Sequence, residues 1–300
     1  MKKRRTTIIM VLFFFMGLLV LLYPSLSDFY NQKHQSKTIV NYEELLSTYQ
    51  ENDYQKIFND AINYNNVLKE LKKPLLTSYS IGTYNETLNV NNNGMMGYIT
   101  IDKIKVELPI YHGTSEDVLN KAVGHIEGTS LPIGGIGSHS VLSAHRGLPS
   151  SKLFTDLDKL EIGDTFTITI LNKLITYEVD KIVTVKPNQT EELKIDKNND
   201  YVTLLTCTPY GINTHRLLVR GKRIDNIEDK KLYITTESFK INSLIVTPIV
   251  AIPIIFILLL IIIFKPIEKN TNNLMDKYIY PSKYKENKSL EVDKNEYKKY

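Results

Sequence analysis

Cys207 is the only cysteine in the chain, and it closes the run Tyr201-Val-Thr-Leu-Leu-Thr-Cys207. A lone thiol forms no intrachain disulfide, which leaves core filler, metal ligand, intermolecular link or nucleophile as its uses. A strand-like stretch delivers it to a loop holding Pro209 and Gly211, and Arg216 stands where the chain returns. If the two flanking stretches pair as a hairpin, the thiol and the guanidinium emerge at one end of a sheet. Arginine stays charged at physiological pH, so it stabilises negative charge without exchanging a proton. A surface arginine beside a buried thiol is the plainer reading of the same pair. Acyl transfer on a thiolate also needs a proton manager. Of the six histidines, His34 lies near the N-terminal apolar run, and His112, His125 and His139 fall in glycine-rich turns. His215 neighbours Arg216, so on a strand it points to the opposite face. His145 ends the stretch Ser140–Ala144 and opens a turn, as Cys207 does. His145, Cys207 and Arg216 are therefore the candidate catalytic set.

The elements that must position this set are mostly strands. From Met96 onward, short alternating runs broken by Gly, Pro and Asn predict strands over 97–102, 106–111, 140–144, 165–170, 174–179, 182–185, 201–206 and 216–219. The pair flanking Leu171-Asn172-Lys173 reads as a hairpin. Many short strands at this spacing predict a closed barrel or sandwich. Helical turns are expected over 115–123 and 153–157. Upstream, Tyr42, Leu45, Leu46, Tyr49, Ile57, Ala61, Tyr64, Leu68 and Leu71 recur at helical intervals within 36–73. Between them, residues 75–94 are polar and aperiodic, longer than an ordinary connection, and predict a mobile cover.

Both ends differ from soluble core. Lys2, Lys3, Arg4 and Arg5 precede an uncharged apolar run from Thr6 to Tyr23, close to the ~20 residues that cross a bilayer as a helix. The same pattern with Ser25-Leu26-Ser27 fits a secretory signal, and the two readings stay open. Ser243–Phe264 is a second uncharged run, containing Pro248 and Pro253 and followed by Lys265 and Lys269. Basic flanks on one side of each run place both termini in the cytoplasm and the intervening chain outside. The tail beyond Phe264 mixes Lys, Glu, Asn and Tyr and reads as disordered.

A net charge of +4, partly in those flanks, offers no basic stripe for nucleic acid. One cysteine and scattered histidines give no metal-ligand spacing, and Gly134, Gly135 and Gly137 form no phosphate-binding fingerprint. No cofactor is expected. With one thiol an exported domain cannot rest on disulfides, but ~200 residues suffice for one hydrophobic core.

Thr203-Leu-Leu-Thr-Cys207 resembles the TLXTC signature of sortases, and the downstream arginine falls where theirs does. Ala144-His-Arg-Gly-Leu-Pro149, the run Leu204–Gly221, Met96-Gly-Tyr-Ile99 and Leu131-Pro-Ile-Gly-Gly135 are similar to the pilin-polymerising class C group. The resemblance spans about 96–224. It implies a mostly β chain built on a closed sortase-type barrel of about eight strands, with N-terminal helices and a C-terminal transmembrane helix. The corresponding plan is an anchor or signal at 1–27, a helical segment at 28–74, a candidate lid at 75–95, the barrel at 96–225, a linker at 226–242, the membrane helix at 243–264 and a cytoplasmic tail at 265–300.

The same resemblance implies that Cys207 attacks the Thr–Gly carbonyl of an LPXTG-like sorting signal and forms a thioester. His145 would protonate the leaving amine and deprotonate the incoming one. Arg216 would hold the signal and stabilise the oxyanion, with a hydrogen bond from Thr206 as a further candidate. The partners would be LPXTG-bearing pilins or surface proteins, an amine acceptor (a pilin lysine or a peptidoglycan precursor) and the membrane. Class C members carry an Asp-Pro-aromatic lid motif, whereas residues 75–97 contain neither Asp nor Pro. Tyr79 or Tyr84 is then the candidate plug. Two other functions fit the sequence: a sortase that anchors proteins to peptidoglycan, and a non-catalytic scaffold barrel.

Overall fold

The computed structural model describes residues 2–71, 83–226 and the single position 255. Residues 10–245 form one compact unit; the other, 1–9 with 246–300, is described only in the first residues of the N-terminal helix and at position 255. The expected membrane helix at 243–264, the tail, most of the linker and Tyr79 lie outside the described residues.

Two helices precede the barrel, α1 (Lys2–Leu46) and α2 (Glu51–Glu70). The helical periodicity read over 36–73 is interrupted at 47–50. There the Ser47 and Thr48 hydroxyls donate to the Glu44 and Leu45 carbonyls, competing with helix continuation. Gln50 restarts the chain as an N-cap, its N–H donating to the Asp53 carboxylate at 2.9 Å. Tyr42 and Leu46 of α1, and Phe58, Ala61, Tyr64 and Leu68 of α2, are buried against the barrel at the three- and four-residue spacing that put them on one face.

Eight strands follow: β1 (Met95–Ile101), β2 (Val106–His112), β3 (Val123–His125), β4 (Ser138–Ser143), β5 (Thr165–Ile170), β6 (Lys173–Val185), β7 (Asp200–Thr208) and β8 (His215–Ile224). They close in the order β1-β2-β3-β4-β7-β8-β6-β5. The closed barrel with N-terminal helices is thus the fold. Two expected strands, 174–179 and 182–185, are one strand, β6, with a register shift between Val179 and Lys181 where it crosses β8. β3 was not expected: three residues with a central glycine carry no alternation, and only its parallel pairing with β2 and antiparallel pairing with β4 make it a strand. The short helix α3 (Glu116–Leu119) lies in the β2–β3 connection.

Of the polar stretch 75–94 expected as a mobile cover, only part is described. Residues 72–82 lie outside the described residues, but 83–94 are stapled down. Thr87 and Asn89 bond within the segment, and His112 of β2 sits 2.8 Å from both the Gly94 and Thr87 carbonyls. Tyr84 is buried, its ring 4.9 Å from His112, and its hydroxyl contacts His125 Nδ1 at 2.9 Å and accepts from the Gly113 N–H. It is a core tyrosine, not a plug, because its ring and hydroxyl are already engaged.

His112, His125 and His139 also depart from expectation, since all three lie on strands and serve packing. Burial holds His125 and His139 below the ordinary histidine range, His125 at about 4. An unfolded histidine takes up a proton near ~6.5, so between those values only the unfolded chain gains it, and folding stability drops as the pH is lowered. At ~1.4 kcal/mol per unit, acidification from pH 6.5 to 4 removes roughly 3 kcal/mol through His125 alone. Denaturant melts of the wild type and His125→Phe across this range should show a shallower pH slope in the variant. Equal slopes would discard the assignment.

Candidate active site

Three adjacent strands end at one place. β4 and β7 run parallel, with Ser143 opposite Leu205, and Ala144 N–H continues the ladder to the Leu205 carbonyl at 3.2 Å. His145 follows directly, at the strand end adjacent to that of Cys207. On the other side of β7, Cys207 is paired directly with Arg216 of β8. Directly opposed residues in an antiparallel pair project to the same face, with Cβ atoms about 5 Å apart. His145, Cys207 and Arg216 are therefore gathered at the end of β4, β7 and β8, on the face shared with Leu205 and Leu218. All three are partly exposed.

Each side chain has its own support. The His145 carbonyl accepts from Phe154 N–H at 3.1 Å, which fixes the start of the loop after β4. Its Nε2 stands 3.6 Å from the Glu116 carboxylate of α3, an exposed group just outside hydrogen-bond range. One guanidinium nitrogen of Arg216, Nη1, donates to the Asn213 and His215 carbonyls at 3.1 and 3.0 Å. This anchors the group on the β7–β8 loop, on the residue paired across the ladder with Cys207. The arrangement offers a nucleophile, a proton carrier and a fixed cation, the set that acyl transfer requires. Among the described residues no group of three or more His, Cys, Asp and Glu converges as metal ligands do.

Thr206 does not join them. Strand alternation turns its side chain to the barrel interior, away from Cys207, where it is buried and its hydroxyl donates to the Ala144 carbonyl at 2.8 Å. The oxyanion role considered for it is replaced by a positional one, tying β7 to the residue before His145. Thr206→Val keeps the shape but leaves that carbonyl unpaired, at a cost of about 1–2 kcal/mol. Urea unfolding should register this loss, and the variant's alkylation rate at Cys207 should stay near wild type; a stable, fully bonded variant would remove the role.

Arg146 escaped the sequence reading, although its adjacency to His145 was the available signal. Its guanidinium pairs with Asp158, approaches the Thr208 hydroxyl at 3.5 Å and lies 5.9 Å from the Tyr210 ring. It thereby joins the loop after His145 to the loop after Cys207. Gly147 lies against this contact: its φ of +76° is left-handed backbone that favours glycine, and a Cβ there would press the Tyr210 ring at 2.8 Å.

The sortase domain model matches residues 99–224. Sortase D of Bacillus subtilis (strain 168) is 31% identical over 164 residues, covering 51% of this chain and 78% of that protein. Among solved structures, sortase C1 from Streptococcus agalactiae is 54% identical, with a TM-score of 0.61 over 63% of this chain and 99% of its own. Sortase C of Streptococcus pneumoniae is 42% identical, with a TM-score of 0.57 over 63% of this chain and 97% of its own.

Proposed function

The chain belongs to the sortase family, and we propose that it is a membrane-anchored cysteine transpeptidase of the class C, pilin-polymerising kind. Cys207 attacks the Thr–Gly carbonyl of an LPXTG-like signal, and the amine leaves with a proton from His145. The thioester then passes to an incoming amine, which His145 deprotonates. Arg216 stabilises the oxyanion in both steps. The observation that carries this reading is the register: Cys207 opposite Arg216, with His145 just past the end of the neighbouring strand β4. No cofactor enters the reaction.

A pilin lysine is the acceptor we favour. The similar sortase C of Streptococcus pneumoniae has been described in terms of its pilin substrate specificity. The location belongs to the same proposal. α1 is long and apolar enough to cross a membrane, and the domain plan given above places the barrel outside, between two spans, with both termini cytoplasmic.

Mass analysis of products formed from a sorting peptide offered a pilin lysine segment and a peptidoglycan-precursor amine together is the test. An isopeptide to the lysine supports polymerisation. Product on the precursor alone replaces it with wall anchoring, and no thioester at Cys207 replaces both with a scaffold role.

A further inference from the structure

α1 leaves its apolar stretch and enters the catalytic unit without a linker. From Met10 to Tyr23 the large side chains Met10, Leu12, Phe13, Met16, Val20 and Leu21 are exposed around the helix and find no core. The first charge after Arg5 is Asp28. Only Pro24 interrupts the helical hydrogen bonding, and α1 continues to Leu46.

The contacts of α1 are ordered along the barrel. The Asp28 carboxylate accepts from Lys152 N–H at 2.7 Å, Asn31 donates to the Ser150 carbonyl at 2.7 Å, and Gln35 to the Lys121 carbonyl at 2.8 Å. Ser150 and Lys152 belong to the loop that follows His145 and is bonded back to its carbonyl through Phe154. Further along, the Tyr42 hydroxyl donates to the Met96 carbonyl at 2.8 Å and accepts from Leu171 N–H at 3.0 Å. Those residues mark the opposite end. β6 runs from Lys173, beside Leu171, to Val185, and Val185 pairs with Arg216. The helix therefore passes the catalytic end first and the far end last.

We propose that the catalytic end of the barrel faces the bilayer from which α1 emerges, close to the lipid headgroups, and takes sorting signals held just above their own membrane span. Asp28 stands five residues beyond Tyr23, about 7.5 Å of helix rise. A kink at Pro24 tilts the domain but cannot lengthen that connection. Tyr23, Phe29 and Tyr30 remain exposed at this level, where interfacial aromatics sit. A signal placed next to an apolar span meets the thiol without being lifted from the membrane, and a tall, protruding substrate is disfavoured. The inference rests on the anchor and transpeptidase readings above.

The chain contains no tryptophan, so one introduced residue reports alone. Tyr210→Trp marks the catalytic end, where Tyr210 lies against Arg146. Ile136→Trp marks the start of β4, at the far end, where Ile136 is exposed. The full chain is placed in phosphatidylcholine–phosphatidylglycerol vesicles carrying brominated acyl chains. Quenching of Y210W but not of I136W is expected; equal quenching, or the reverse, overturns the orientation. In a second arm, seven helix-forming residues inserted between Ser27 and Asp28 raise the barrel by about 10 Å on nearly the same helix face. Turnover of a vesicle-embedded sorting substrate should fall roughly tenfold as the sites cease to span, while turnover of a soluble sorting peptide stays unchanged. Equal loss on both, or on neither, refutes the geometry. Failure of the unaltered enzyme on the soluble peptide would instead strike the transpeptidase reading, and failure to float with vesicles the anchor.

Discussion

Cys207→Ala eliminates transfer of the sorting signal and every trace of peptide-linked enzyme, a loss of roughly a thousandfold or more. The expectation follows from the single sulfur in the chain: no second thiol can take over, and alanine has no lone pair to attack a carbonyl. The change should leave the fold in place. Cys207 is partly exposed at a strand end and lies outside the buried cluster formed by its neighbours Leu204, Leu217 and Val219. Removing its sulfur should therefore cost no more than about 1 kcal/mol. Intact-mass analysis after mixing with a sorting peptide separates the outcomes cleanly. Wild type gains the acyl portion of the peptide, and the alanine variant gains nothing. A variant that still joins peptide to amine would end the nucleophile assignment, whatever its rate.

Arg216→Lys should behave nearly as badly as Arg216→Ala, each lowering kcat/KM by roughly a hundredfold to a thousandfold. The reason lies in how the guanidinium is used. Nη1 is committed to the Asn213 and His215 carbonyls, and the planar fork fixes the direction of its other nitrogens. A lysine ammonium is a single point on a flexible stem and cannot bond the loop and face the oxyanion together. The readout that separates this from general damage is alkylation of Cys207 by a small uncharged reagent. That reaction forms no tetrahedral oxyanion, so its rate should change far less than turnover. Full rescue by lysine would reduce Arg216 to a diffuse positive charge. Parallel loss of alkylation and turnover would make it a structural residue.

The catalytic candidates were legible because each lies at the end of a regular alternating run. Period-two alternation over 201–206 and 216–219 fixes which residues share a face, and a hairpin between them makes Cys207 and Arg216 neighbours. The helical faces of α1 and α2 were legible for the same local reason, as were the strands around Leu171. Features without a local period were not. β3 is three residues long and exists through its neighbours. Tyr84 sits in a polar, aperiodic stretch, so nothing nearby in sequence signalled that His112, His125 and Gly113 would enclose it. Thr206 shares its buried face with Leu204, but only the approach of β4 gives its hydroxyl a partner.

The chain's own residues thus determine a β-barrel behind an apolar N-terminal stretch, and a thiol and guanidinium presented together. These follow from short-range periodicity, charge and residue chemistry. Tertiary structure alone decides that the strand leading to His145 lies next to the one ending at Cys207, since β4 and β7 are parallel neighbours far apart in sequence. It also decides that Arg146 bridges the loops after His145 and Cys207, and that α1 reaches their end of the barrel first. Those relations depend on pairings between distant segments. Barrel closure sets them, and no local pattern encodes them.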